Sequence, residues 1–133
     1  AGDSVFTDPQ EAVKYVKETE VDALAVSIGT AHGAYKGIPQ LQFELLRELR
    51  EKVSVPLVLH GGSGTGDENL AKACKMGICK LNIAYDLYRG GIDNLLSHDV
   101  SGNGAYGLYK FLAQGMQEAA EHAMEICGSI GKA

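Results

Sequence analysis

A parallel α/β fold is what this sequence predicts, and three observations carry the prediction. Short aliphatic runs at 23–28, 56–60 and 80–84 alternate with longer stretches whose apolar residues recur at helical spacing. The first two runs are almost wholly apolar, the pattern of strands covered on both faces. Each run passes into glycine or polar residues before the next helical stretch, so strands and helices follow one another as βα units.

The chain opens on a helix signal. Thr7-Asp8-Pro9-Gln10-Glu11 offers a capping carboxylate at Asp8, a proline at the first helical position and an acid three residues after the cap. Ala12, Val13 and Val16 then fall on one face. The strand at 23–28 follows. Lys36-Gly37-Ile38-Pro39 reads as a loop, because glycine and proline break both regular patterns. The next helix is expected at 42–52, with Leu41, Leu45, Leu46, Leu49 and Val53 as its apolar stripe. Glu44, Arg47, Glu48 and Lys52 should pair at i,i+3 and i,i+4 on its wet face. Pro56 opens the second strand, which ends at His60. Residues 67–76 read as a helix stopped by Gly77. The third strand is expected at 80–84, with Lys80 at its start, remote from the edge where the strands end. Beyond residue 87 no strand is evident. Residues 86–96 and 106–127 read as two helices separated by a polar, glycine-containing break at 97–104.

Parallel strands joined by right-handed crossovers place their C-terminal ends on one edge of the sheet. His32, the turn Gly61-Gly62-Ser63 and Asn82 should therefore converge there.

Composition narrows the function. Apolar residues make up 45% of the 133, enough for one modest core. No apolar run nears the ~20 residues that span a bilayer, and no signal peptide is visible, so no membrane partner is expected. A net charge of −5 argues against nucleic acid. Cys74, Cys79 and Cys127 are odd in number and lack zinc-knuckle spacing. They are expected to be free, buried thiols in a reducing compartment, the cytoplasm.

The chemistry gathers at the strand ends. Leu57-Val58-Leu59-His60-Gly61-Gly62-Ser63-Gly64 delivers one imidazole to the end of a strand, then a turn whose backbone N–H groups can hold a phosphate. An earlier apolar run does the same before Gly29-Thr30-Ala31-His32-Gly33-Ala34-Tyr35. A lone histidine is more often structural, and glycines of this kind also make ordinary βα turns. Two strand-end His-Gly pairs on one edge suggest instead two metal ligands beside an anion site, and imidazole suits zinc. His98 and His122 are expected at the surface.

With Lys80-Leu81-Asn82-Ile83-Ala84 completing the series, the three motifs resemble those of the class II, zinc-dependent fructose-bisphosphate and tagatose-bisphosphate aldolases. The resemblance corresponds to the C-terminal half of a family member. It implies a (β/α)8 TIM barrel whose last three βα units and C-terminal helices lie here, residues 1–133 being the C-terminal portion of a single barrel domain. Three strands cannot close such a barrel and alone would leave bare edges, so a larger polypeptide or a partner chain is expected to complete it.

The resemblance further implies a Zn2+ ion held by His32 and His60. The third histidine ligand and the acid–base aspartate would lie in the N-terminal half, leaving no catalytic residue in this chain. Substrate and phosphate contacts are implied for Gly33, Gly61, Gly62, Ser63, Asn82, Ile83, Ala84 and Tyr85, and the glycine loops also suit a monovalent cation. The implied reaction is the reversible aldol cleavage of a ketose 1,6-bisphosphate, of fructose or tagatose type, to dihydroxyacetone phosphate and an aldehyde. This belongs to carbohydrate metabolism, with glycolysis as the natural setting. The implied partners are the sugar phosphate, the N-terminal half of the barrel and further copies in a homo-oligomer. Tyr85 stands where family members commonly carry threonine, which bears on phosphate affinity. Lys36 could attract phosphate from its loop, whereas Schiff-base chemistry is not expected. Two rival readings are a non-catalytic companion subunit and a different sugar-phosphate enzyme on the same barrel.

Overall fold

The computed structural model describes residues 6–31, 37–102 and 104–132. Among them the elements run α1 (Pro9–Thr19), β1 (Leu24–Ala25), α2 (Phe43–Lys52), β2 (Leu57–Leu59), α3 (Asp67–Lys75), β3 (Ile78–Leu81), α4 (Tyr85–Leu96) and α5 (Gly104–Ile126). They form two compact units, one ending at Asn82 and one starting at Ile83.

In the first unit the strands lie in the order β1-β2-β3, all parallel. The predicted cap of α1 is present: the Asp8 carboxylate accepts the backbone N–H groups of Gln10 at 2.8 Å and Glu11 at 2.9 Å. Ala12 and Val16 enter the core, while Val13, expected beside them, faces outward. On α2 the expected stripe buries Leu41, Leu46, Leu49 and Val53, with Leu45 packed at its margin. Its wet face carries the pairs Glu44–Arg47 at 2.7 Å and Glu48–Lys52 at 2.6 Å. Both are exposed, so each contributes no more than about 0.5 kcal/mol. The core joins the two helices to Val26, Ile28, Leu57, Leu59, Ala73 and Ile78.

Two strands depart from the sequence expectation. β1 is regular only at Leu24 and Ala25, and Ala25 is exposed. The Val26 N–H still reaches the Val58 carbonyl at 3.1 Å. Past that point the backbone turns to other partners: Thr7 exchanges two hydrogen bonds with Ser27, and the Ile28 carbonyl accepts from Gln42 N–H at 2.8 Å. β1 is an edge strand among the described residues, and neighbouring loop segments satisfy its backbone where no further strand does.

β3 begins at Ile78, before the predicted Lys80. Its register on β2 pairs Leu57 with Ile78, Val58 with Lys80 and Leu59 with Leu81, so Cys79 is an extra residue opposite the Leu57–Val58 step. The bulge resets the alternation of faces. Ile78 and Leu81 both turn to the core, while Lys80 shares the opposite face of the sheet with Val58, itself only 7% exposed. Lys80 is therefore not the residue that opens the strand, nor is it remote from the rim.

The cysteines form no disulfide, but none is fully buried: Cys74 and Cys127 are half-buried and Cys79, on the bulge, is exposed.

In the second unit α4 and α5 pack along each other through glycine. A β-carbon on Gly91 would lie 2.7 Å from Met116 Cγ, and one on Gly115 would lie 2.6 Å from Asn94 Cβ and overlap the Gly90 carbonyl oxygen. Asn94 Nδ2 donates to the Phe111 carbonyl at 2.7 Å, and His98 stacks on the Phe111 ring with centroids 3.9 Å apart. His98 and His122 are both exposed, as the sequence suggested.

Candidate active site

Parallel pairing brings the ends of β2 and β3 to one edge of the sheet, and the ladder continues past the strands themselves. Asn82 N–H donates to the Leu59 carbonyl, and the Asn82 carbonyl accepts from Gly62 N–H, each at 3.0 Å. His60 and Asn82 thus stand side by side on the face of Val58 and Lys80, one step beyond them. Asn82 Nδ2 lies 3.1 Å from His60 Nδ1 and 3.4 Å from Nε2. On its other side Asn82 Oδ1 accepts from the Lys80 ammonium. The His60 ring is exposed and lines a cavity of about 230 Å³ with Ala25, Val26, Ser27, Thr30 and Ala31.

The turn after His60 is built on glycine. Gly61 has φ +67°, and a β-carbon there would fall on the Ala31 carbonyl oxygen, 2.8 Å from the Ala31 carbonyl carbon. Only glycine permits both the dihedral and the close approach. Thr65, wholly buried, donates its hydroxyl to the Gly61 carbonyl at 3.1 Å. Asn69, from α3, donates to the Thr65 carbonyl at 3.0 Å and the Pro39 carbonyl at 3.1 Å. Ser63 is 6% exposed. The Gly62 N–H is taken by the Asn82 carbonyl, so it ties the two strand ends together.

These contacts also hold the two ends of the excursion between β1 and α2. Its neck is closed by the Ile28–Gln42 hydrogen bond, with Gly29 at φ +114°. On the β1 side, Thr30 Oγ1 donates to the His60 carbonyl at 2.7 Å and Ala31 lies against Gly61. On the α2 side, Pro39 is held by Asn69. His32, Gly33, Tyr35 and Lys36 lie outside the described residues.

Ile83, Ala84 and Tyr85 belong to the second unit. Ala84 precedes the first turn of α4 and accepts from Tyr88 N–H at 3.2 Å. Tyr85 opens that helix and is 46% exposed.

Among the described residues no three histidine, cysteine or acidic side chains converge on one point. His60 suits one position of a zinc site by residue type and place: it is an exposed imidazole at a strand end, with the Asn82 amide nitrogen against its ring. Sequence reasoning did not find Thr30, Thr65 or Asn69 as supports of the turn, and it misplaced Lys80. The signal for Lys80 was its i,i+2 spacing from Asn82, which puts both on one face of a strand.

The family description of fructose-bisphosphate aldolase class-II matches residues 1–132. The YdjI aldolase from Escherichia coli K12 superposes with a TM-score of 0.87 at 38% sequence identity, over 96% of this chain and 48% of that one. The fructose-bisphosphate aldolase of Campylobacter jejuni superposes with a TM-score of 0.82 over all of this chain and 50% of that one. At 21% identity it speaks for the fold alone. The chain spans about half the length of these structures, and its short parallel sheet with helices is that of an aldolase TIM-barrel fragment. From its matched length and its fold together, the chain belongs to the class-II fructose-bisphosphate aldolase family.

Proposed function

We propose that residues 1–133 are the C-terminal portion of a single TIM-barrel domain that acts as a zinc-dependent aldolase. The reaction is the reversible cleavage of a ketose 1,6-bisphosphate, of fructose or tagatose type, to dihydroxyacetone phosphate and an aldehyde. The observation that carries this reading is the seating of Thr30 and Ala31 on the His60 turn, with Pro39 held by Asn69 of α3. It supports bringing the segment that contains His32 to the strand end where His60 stands.

In this reading His32 and His60 each give an imidazole to the zinc ion, and the N-terminal half of the barrel gives the third ligand and the acid–base aspartate. When bound, the ion supplies Lewis-acid polarisation of the ketone and offsets the charge that develops on cleavage. Asn82 donates its NH2 to an oxygen of the ketose fragment. Gly33, Gly61 and Ser63 contact the phosphate, with Gly62 holding the turn to β3, and the family resemblance adds Ile83, Ala84 and Tyr85 as substrate contacts. Backbone N–H groups and the bound metal supply local positive charge, so an anion can bind a chain of net charge −5. The glycine loops are also the place for a monovalent cation. The working assembly is a homo-oligomer of complete barrels.

Tyr85 favours a second reading of the substrate on the same chemistry. A phenol in place of a small hydroxyl suits an aldol substrate other than the usual bisphosphates.

The test uses the complete barrel. Zinc content and cleavage of fructose and tagatose 1,6-bisphosphates are measured for the wild type and for His60→Ala. Loss of metal and turnover together is expected, and zinc-dependent turnover retained by His60→Ala would sink the assignment.

A further inference from the structure

We propose that Lys80 is a positioning residue of the strand-end site, fixing which end of the Asn82 carboxamide is presented to an anionic ligand. The identity of that ligand, a ketose phosphate, rests on the aldolase reading above; the Lys80–Asn82 relationship does not.

The argument starts from the bulge. Because Cys79 is extra, Lys80 falls on the same face as Val58, and Asn82, two residues on, falls on that face beside His60. The Lys80 ammonium donates to Asn82 Oδ1. A carboxamide is nearly symmetric in shape and opposite in polarity at its two ends. Something must choose its orientation. His60 cannot, because an imidazole can donate or accept by changing tautomer and would suit either end of the amide. An ammonium has no acceptor capacity, so the atom that faces Lys80 must be the oxygen. The NH2 is thereby turned toward His60 at the strand end, where one N–H faces the imidazole and the other can donate to a phosphate or alkoxide oxygen. Reversed, the same side chain would present a carbonyl oxygen to an anion and repel it. The lysine thus acts on the ligand through Asn82, and its own charge adds to a rim that must attract an anion.

The test is a double-mutant cycle in the complete barrel, read by titration with dihydroxyacetone phosphate. Lys80→Met should weaken binding by about tenfold, the effect of turning a favourable hydrogen bond to a charged group into an unfavourable one. In an Asn82→Ala background the same change should move binding by less than about twofold, because nothing is left to orient. Lys80→Arg, which keeps a donor-only cation, should stay within about threefold of wild type. A second readout needs no ligand. In protein labelled with 15N at asparagine, the Asn82 side-chain NH2 pair, assigned by its disappearance in Asn82→Ala, should shift or broaden in Lys80→Met and be kept in Lys80→Arg.

An effect of Lys80→Met that persists undiminished in the Asn82→Ala background would mean that Lys80 acts directly on the ligand, and would overturn the proposal. So would an unchanged Asn82 NH2 signal in Lys80→Met. If the wild type fails to bind dihydroxyacetone phosphate while the NH2 signal still responds to Lys80→Met, the aldolase reading falls and the Lys80–Asn82 assignment stands.

Discussion

Gly61 and Ala31 touch backbone to backbone: a β-carbon on Gly61 would sit on the Ala31 carbonyl, at a φ of +67° that L side chains rarely adopt. One missing methyl group therefore joins the two loops that carry the His-Gly motifs. Gly61→Ala should destabilise the fold by about 2–5 kcal/mol, from left-handed backbone strain and overpacking together. The comparison is the urea midpoint of Gly61→Ala against Gly37→Ala, where an added β-carbon meets nothing within 4 Å. The Gly37 variant should stay within about 0.5 kcal/mol of the parent.

Asn69 bridges the Thr65 and Pro39 carbonyls from a half-buried position. Asn69→Leu removes both hydrogen bonds, and it should cost about 1–3 kcal/mol. Limited proteolysis should then cut the excursion at 29–41 sooner than in the parent. An unchanged cleavage rate would mean that Asn69 does not restrain that loop.

The α4–α5 contact depends on glycine at 90, 91 and 115. Gly115→Leu should force the helices apart at a cost of about 1–3 kcal/mol, seen as a lower thermal midpoint by circular dichroism. Gly102→Leu is the control, since an added β-carbon there meets nothing within 4 Å.

Tyr85 opens α4 and is 46% exposed. Replacing it by threonine adds a small hydroxyl near the helix start. Tyr85→Thr should tighten dihydroxyacetone phosphate binding by up to about tenfold in the complete barrel. Weaker binding would show that the phenol itself takes part in recognition.

Asp99 accepts hydrogen bonds from Ser101 Oγ at 2.6 Å and Ser101 N–H at 2.9 Å, and these hold its carboxyl below the ordinary aspartate range. A carboxylate whose folded pKa is lowered contributes stability above its unfolded pKa, and that contribution is lost as pH falls through the folded value. An NMR titration should find Asp99 ionising below a model aspartate, and Ser101→Ala should bring it back up.

Much of the first unit was legible because local rules and tertiary packing agree there. Asp8 caps α1 since a carboxylate before Pro-Gln-Glu has free N–H groups to accept. The α2 stripe and both of its ion pairs follow from the helical period alone. The stop of α3 at Gly77 follows from a φ of +112°. What was not legible depended on distant partners. β1 ends early because Thr7 and Gln42 supply its backbone bonds, and no window of sequence around 23–28 contains either. Lys80 was misplaced because a bulge is a property of two strands together. Regular alternation from Ile78 would have sent Lys80 and Asn82 into the core, and only the pairing with β2 reveals the extra residue. Thr65 and Asn69 were passed over because their roles are to hold carbonyls of other loops, which their residue types alone do not announce.

The bulge at Cys79 also gives β3 slack. Val58, Leu59 and His60 follow one another without a spare position, so losing a residue from β2 would turn the imidazole from the rim toward the helices. In β3 the ladder already passes over one residue, so losing Cys79 would leave Ile78 against Leu57 and Lys80 against Val58. Length changes at this point are absorbed where they occur and are not transmitted to Asn82. Two chains that differ here by one residue can present the same chemistry, and an aligned gap between Gly77 and Lys80 is no sign that the site has been lost.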